Sequence, residues 1–180
     1  MLYPAQVVDG LVHMHAGGNL RKALEAVPVD EWSGVRVQPG GAYVTPAFEL
    51  MNFDLIAHTP TPFWPEDAKT ELESFLKWGN NITSCFVNGV NALHVPMSES
   101  KEPQPLAIAL PLLGAGAAGA PAEACAEMAA QATSILAQEL QHEGRGGPLL
   151  LRFVLPGEAE LALVSRAFEE KFAATASPQA

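Results

Sequence analysis

The stretch of this 180-residue chain best equipped for chemistry is Gly114-Ala115-Gly116-Ala117-Ala118-Gly119. It follows an apolar run, residues 106–113, and precedes a long alanine-rich segment of strong helix propensity. A buried strand, a loop with little side-chain bulk and a helix N-terminus together make an anion site. Glycines let backbone N–H groups approach phosphate oxygens, and the first helical turn adds unpaired donors and partial positive charge. Pro121 suits that first turn, where its missing N–H costs nothing. The same residues also suit a tight strand-to-helix turn under close packing. The stretch by itself leaves these two readings level.

The spacing is a literal GxGxxG, but a dinucleotide-binding unit also needs an acidic residue closing the next strand about 20 residues on. Here the expected helix is still running at that distance, and the next strand ends near Leu155. His13 and His15 are two apart, so a strand would turn both to one face. With His58 they could form a three-histidine metal site, yet no acidic cluster completes one, and histidines bonded to loops at a sheet edge are the plainer reading. No metal and no cofactor is expected. There is no GxSxG, and neither Cys85 nor Cys125 carries a nucleophile signature. Asp9 and Asp54 read as edge residues or partners of a loop N–H. Trp64 and Trp78 read as core or lid residues.

These residues need elements to position them. The pattern predicts strands over residues 7–14, 53–59, 106–113 and 149–155, and a short strand pair within 34–44 around Pro39-Gly40-Gly41. Helices are expected from Leu20 to about Ala26 with Asn19 as cap, then over residues 66–78 and 82–95 with a break at Gly79-Asn80-Asn81. The long helix should run to about Glu143, with residues 144–147 as its C-cap, and a last helix should span 158–173. Residues 96–105 read as a polar linker. Apolar strands alternating with helices imply a mainly parallel sheet covered on both faces. Ligands bind such sheets outside the carboxyl ends of the strands. Two glycine-rich loops fall at that edge, residues 15–19 and 114–119. Residues 1–175 are expected to form one domain, with 176–180 a frayed tail.

Nearly half the residues are hydrophobic, which excludes a disordered chain. Ten basic residues against twenty acidic ones give a net charge of −10. That argues against nucleic acid or an anionic membrane as partner, though not against a small phosphorylated ligand held by backbone amides. No signal peptide or membrane-spanning run is apparent, and two scattered cysteines fit a reduced, cytoplasmic chain.

Three segments carry a family resemblance. Val8-Asp9-Gly10-Leu11-Val12-His13-Met14-His15-Ala16-Gly17-Gly18 is similar to a strand and loop written VDAIVNAAN followed by a glycine turn. Residues 41–50 and 53–64, the second with Ile56-Ala57-His58-Thr59, are similar to G-x-A-x-x-T-x-x-x-x-L and V-I-H-T-V-x-P-x-W. Residues 108–121 are similar to the diphosphate loop I-A-F-P-x-[IL]-[SG]-[TA]-G-x-[YF]-G-x-P. In this order the segments resemble a macrodomain, the module that binds ADP-ribose and related nucleotides.

The resemblance implies an α/β, three-layer α/β/α fold with a mixed, mostly parallel sheet, here lacking the usual N-terminal strand. It implies a nucleotide held by Gly114, Ala115, Gly116, Ala117, Ala118 and Gly119, opposite a wall of His15, Gly17, Gly18 and Asn19. The departures are specific. His13 and Ala16 stand where active hydrolases of the family carry asparagine. Ala118 stands where an aromatic contacts the distal ribose. No adenine-holding Asp precedes the first segment, and Leu155-Pro156-Gly157 replaces the aromatic after the last strand. A non-catalytic module for ADP-ribose or a related nucleotide is therefore the first expectation. An ADP-ribosyl hydrolase or related phosphoesterase, and a ligand-free scaffold acting through homo-oligomerisation, are the alternatives.

Overall fold

The computed structural model of the chain describes residues 8–68, 70–98, 106–143 and 148–173. Its elements are α1 (Val8–Ala16), α2 (Gly18–Glu25), β1 (Tyr43–Pro46), β2 (Leu55–His58), α3 (Leu72–Ser98), β3 (Leu106–Pro111), α4 (Ala122–Glu143), β4 (Leu149–Val154) and α5 (Glu158–Ala173). The expected C-cap at 144–147 and the tail from residue 174 lie outside the described residues, as do residues 99–105 of the expected linker.

Two helices organise the core, the alanine-rich α4 and α3, which carries Gly79 and Gly89. On α4, Cys125, Ala126, Ala129, Ala130 and Ala132 are buried, and α3 and α5 pack against the helix. Small side chains let neighbouring helices approach, so the composition of α4 follows from its central place. The expected break at Gly79-Asn80-Asn81 is absent, and α3 runs unbroken through it to Ser98, beyond Pro96. Gly79 is there for packing. A Cβ on it would stand 2.9 Å from Sδ of Met128 on α4. Tertiary contact therefore overrides the weak helix propensity of this tripeptide. Trp78, Ile82 and Phe86 of α3 share one buried cluster with the α4 alanines, Leu112, Val164 and Ala167.

The strands form two pairs. β1 and β2 are antiparallel, with Tyr43 opposite His58 and Pro46 opposite Leu55. β3 and β4 are parallel, with Leu106 opposite Leu149 and Pro111 opposite Val154. Among the described residues no strand joins β2 to β3, so the single mostly parallel sheet expected from the pattern is divided into one antiparallel and one parallel pair. Helix α3 packs on β1, β2 and β3 and spans the division, while α2 packs on β1.

A strand is expected over residues 7–14, whereas residues 8–16 form helix α1. A short apolar run has no period that separates a buried strand from a helix. In α1, Asp9 lies in the first turn and His13 and His15 in the last, the order that the helix dipole favours. Only one strand is found in the 34–46 region. Pro39, Gly40 and Gly41 form a turn before it instead of joining two strands, with Gly41 N–H donating to Gln38 O at 2.8 Å.

The central place of α4 sets a testable cost. Ala129→Leu should destabilise the protein by about 1–3 kcal/mol through overpacking. Gln138→Leu on the exposed side of the same helix should stay within about 0.5 kcal/mol. Urea denaturation of the two variants checks this, and equal midpoints would contradict the packing described.

Candidate functional site

A cavity of about 820 Å³ opens where the two sheets fail to meet. β2 and β3 border it, with Cys85, Phe86 and Gly89 of α3, one side of α1 and the loop that leaves β3. It runs along the whole of both strands, Leu55–His58 of β2 and Leu106–Pro111 of β3, and so includes their carboxyl ends, where α/β sheets take ligands.

The β3–α4 loop is built by its three glycines in three ways. Gly114 is buried with φ +91°, and a Cβ there would stand 3.1 Å from Cδ1 of Ile82 and 3.2 Å from Sγ of Cys125. Both backbone and packing demand glycine at that position. Gly119 has φ +78° and open space around it, so its demand is conformational alone. Gly116 lies outside the positive-φ region and nothing stands within 4 Å of its missing Cβ. It leaves the mouth of the loop clear.

The loop's own hydrogen bonds consume some of its donors. Ala115 N–H donates to Leu112 O at 3.3 Å, Gly119 N–H to Gly116 O at 2.9 Å and Ala120 N–H to Gly114 O at 3.1 Å. The N–H groups of Gly116, Ala117 and Ala118 find no protein acceptor among the described residues. These three consecutive donors border the cavity next to the N-terminus of a 22-residue helix, the kind of place where backbone N–H groups can take an anion. Trp64 N–H donates to Ala118 O at 2.9 Å and ties the loop to the proline-rich segment. Trp64 in turn stands edge-on to Trp78, ring centroids 4.7 Å apart.

Of the residues expected from sequence, His15, Gly114, Gly116, Ala117 and Ala118 border the cavity, whereas Gly17, Gly18, Asn19, Ala115 and Gly119 do not. The expected capping role of Asn19 is taken by Gly17, with φ 77°, because α2 already begins at Gly18. Gly17 is covered by the chain itself. A Cβ on it would stand 2.5–2.6 Å from the Glu49 carboxyl group, and Glu49 N–H donates to Ala16 O at 3.3 Å. The protein's own carboxylate thus sits at the N-terminus of α2, the position an anionic ligand would need. Electrostatics favours it there.

The histidines are arranged differently from a strand pair. On a helix, residues two apart point in different directions, and His13 instead faces Asp9, one turn back, with Nε2 3.6 Å from Oδ1. His58 Nε2 shares a 2.9 Å hydrogen bond with Oγ1 of buried Thr45. Burial, and then the charge on nearby His13, hold the His58 imidazole below its ordinary pKa. Among the described residues no three His, Cys, Asp or Glu side chains converge on a metal position. The thiols are poor nucleophiles. Burial raises Cys85, whose Sγ donates to Pro60 O at 3.3 Å, and pushes Cys125 up to about 12. Thr45 and the α3 residues at the cavity were missed from sequence. The four-residue spacing of Asp9 and His13 was the available signal, and it has meaning only in a helix.

The fold and site define an α/β domain with a cavity along β2 and β3. The chain belongs to the Macro domain family, whose family model matches residues 2–129. Its fold is the α/β macrodomain fold. The Oceanobacillus iheyensis macrodomain with MES bound superposes with a TM-score of 0.73 at 22% identity, covering 96% of this chain and 80% of that one. The same macrodomain with ADP gives 0.72 at 23% identity, covering 93% and 77%. The macro domain of ganglioside induced differentiation associated protein 2 gives 0.64 at 19%, covering 91% and 69%. At these identities the likeness is one of fold. No curated protein matches the chain.

The different duties of the glycines predict different tolerances. Gly114→Ala should cost about 1–3 kcal/mol, from positive φ and the crowding by Ile82 and Cys125. Gly116→Ala should change stability by less than about 0.5 kcal/mol. Thermal melts of both variants without ligand give the comparison, and a destabilised Gly116→Ala would refute the open geometry of the loop.

Proposed function

We propose that this chain is a non-catalytic binding module for ADP-ribose or a closely related nucleotide. The run of free N–H groups from Gly116 to Ala118 at the cavity carries this reading. Backbone donors hold a diphosphate without lysine or arginine, which suits an acidic chain. Solved macrodomains of similar fold contain ADP in one case and ADPR, in a single-residue mutant, in another. The cavity of about 820 Å³ is of the size small-ligand sites occupy.

The non-catalytic part rests on residue chemistry. His13 and Ala16 replace the first-loop asparagines, and Ala16 is buried. Both thiols are held protonated by burial. His13, near Asp9, is the group most suited to activating water, and the reading assigns it to binding instead.

A thermal-shift series with ADP-ribose, AMP, NAD and inorganic phosphate tests the proposal. ADP-ribose at roughly 100 times its Kd should stabilise the protein by about 2.7 kcal/mol. Gly116→Val should abolish that shift while melting normally without ligand, since Gly116 has space and ordinary φ. An undiminished shift in folded Gly116→Val would remove the phosphate from this loop. No shift with any of the four ligands in the unmodified protein would refute the binding module.

A further inference from the structure

The cavity that the donor loop borders poses an electrostatic problem. No lysine or arginine borders the cavity among the described residues. The carboxylates of Asp9 and Asp54 do border it, in a chain of net charge −10. An anionic ligand entering there meets an unfavourable field unless something supplies positive charge. The side chains able to do so are His13 and His15 of α1 and His58 of β2.

We propose that His13 and His58 form a proton-dependent anion contact in this cavity, so that a phosphorylated ligand is bound together with a proton. The inference rests on the binding reading given above and adds a contact and a pH dependence to it.

The geometry gives the two rings different starting states. His58 is anchored through Nε2 to the hydroxyl of Thr45, which is only 2% exposed, so the ring has a fixed orientation. His58 Nδ1 has no partner among the described residues. His13 is mostly buried, its side chain 18% exposed, and it faces the more exposed Asp9 carboxylate at 3.6 Å. Burial first, and then charge on His13, hold the His58 imidazole below its ordinary pKa, while Asp9 pulls the other way. An anion beside both rings reverses the balance, because each added proton then gains a Coulomb partner in a poorly solvated place.

The other titratable groups at the cavity do not supply this response. Asp9 and Asp54 are carboxylates and bring no positive charge, and burial raises the Cys85 thiol. From β1 the neighbours of His58 are Tyr43, its partner in register, and Thr45, its hydrogen-bond partner. β3 and the glycine-rich loop contribute no ionisable side chain at the cavity. His15 is the remaining candidate. It is exposed, so solvent screens its charge.

The sign follows from linkage. A histidine whose pKa is higher in the complex than in the free protein strengthens binding below its free pKa, and loses that effect as pH rises through the bound value. Affinity should therefore rise on acidification through the histidine range, by up to about tenfold per pH unit for each proton taken up.

Calorimetric titration of the full chain with ADP-ribose tests this. Each phosphate of ADP-ribose carries one ester and the shared anhydride bond, which leaves one strongly acidic hydroxyl on each, so the probe keeps constant charge. Titrations at about pH 5.5 and about pH 7.5, in Bis-Tris and in imidazole, report affinity and proton uptake separately. The expected result is tighter binding at the lower pH with net uptake of protons. His13→Asn and His58→Asn should each reduce the uptake and flatten the pH profile. His58→Asn also loses the Thr45 hydrogen bond, so its melting point is measured alongside, and His13→Asn carries the test if it unfolds. Binding without pH dependence or proton uptake would overturn this inference and leave the binding module standing. Uptake lost only in His15→Asn would overturn the assignment to His13 and His58. No binding at either pH would overturn both readings.

Discussion

The turn from β3 into α4 passes through a single point of close contact, and much of the molecule is built around it. Gly114 lies against Ile82 and Trp78 of α3 and against Cys125 of α4. The chain can make that approach only without a side chain, and only in a backbone conformation that other residues avoid. Because the approach is made, α3 and α4 can lie together along their alanine and glycine faces. The same contact brings the loop to the carboxyl end of β3, beside the cavity. Fold and candidate site thus share one constraint.

The consequence is a division of labour inside a short motif. Gly114 serves packing and Gly119 serves the turn, while Gly116 serves access. The three N–H groups from Gly116 to Ala118 are left over when the loop has satisfied itself. They are free because neighbouring donors are taken. The aromatic ridge of Trp64, Phe75 and Trp78 supports this geometry from outside, since Trp64 is bonded to Ala118 O and packed edge-on against Trp78. Edge-to-face pairs of this kind contribute about 0.5–1.5 kcal/mol each beyond their buried area.

The other end of the cavity has a different logic. Helix α1 takes the place of a strand expected from the sequence and borders the cavity along with β2 and β3. The same helix carries His13 and His15 to that space, and Glu49 closes the N-terminus of α2 with the protein's own carboxylate. Histidines are the only basic side chains at the cavity among the described residues, and burial, then the charge of His13, hold His58 below its ordinary pKa.

The sequence by itself determined the family, the α/β class, the helix over residues 158–173 and the glycine-rich loop between β3 and α4. These were legible because each rests on local rules. Glycine and proline mark turns by backbone geometry, a long amphipathic or alanine-rich run favours a helix, and the Gly114–Gly119 spacing is contiguous. Only the tertiary structure decided that residues 8–16 are helical, since a short apolar run has no period of its own. It decided that Gly79-Asn80-Asn81 continues a helix, because Met128 of α4 occupies the space beside Gly79. It also decided which candidate residues reach the cavity. Gly17 was masked by Glu49, 32 positions away, and Thr45 was brought to His58 by strand pairing. Such contacts join residues far apart in the chain, and neither residue type nor local spacing encodes them.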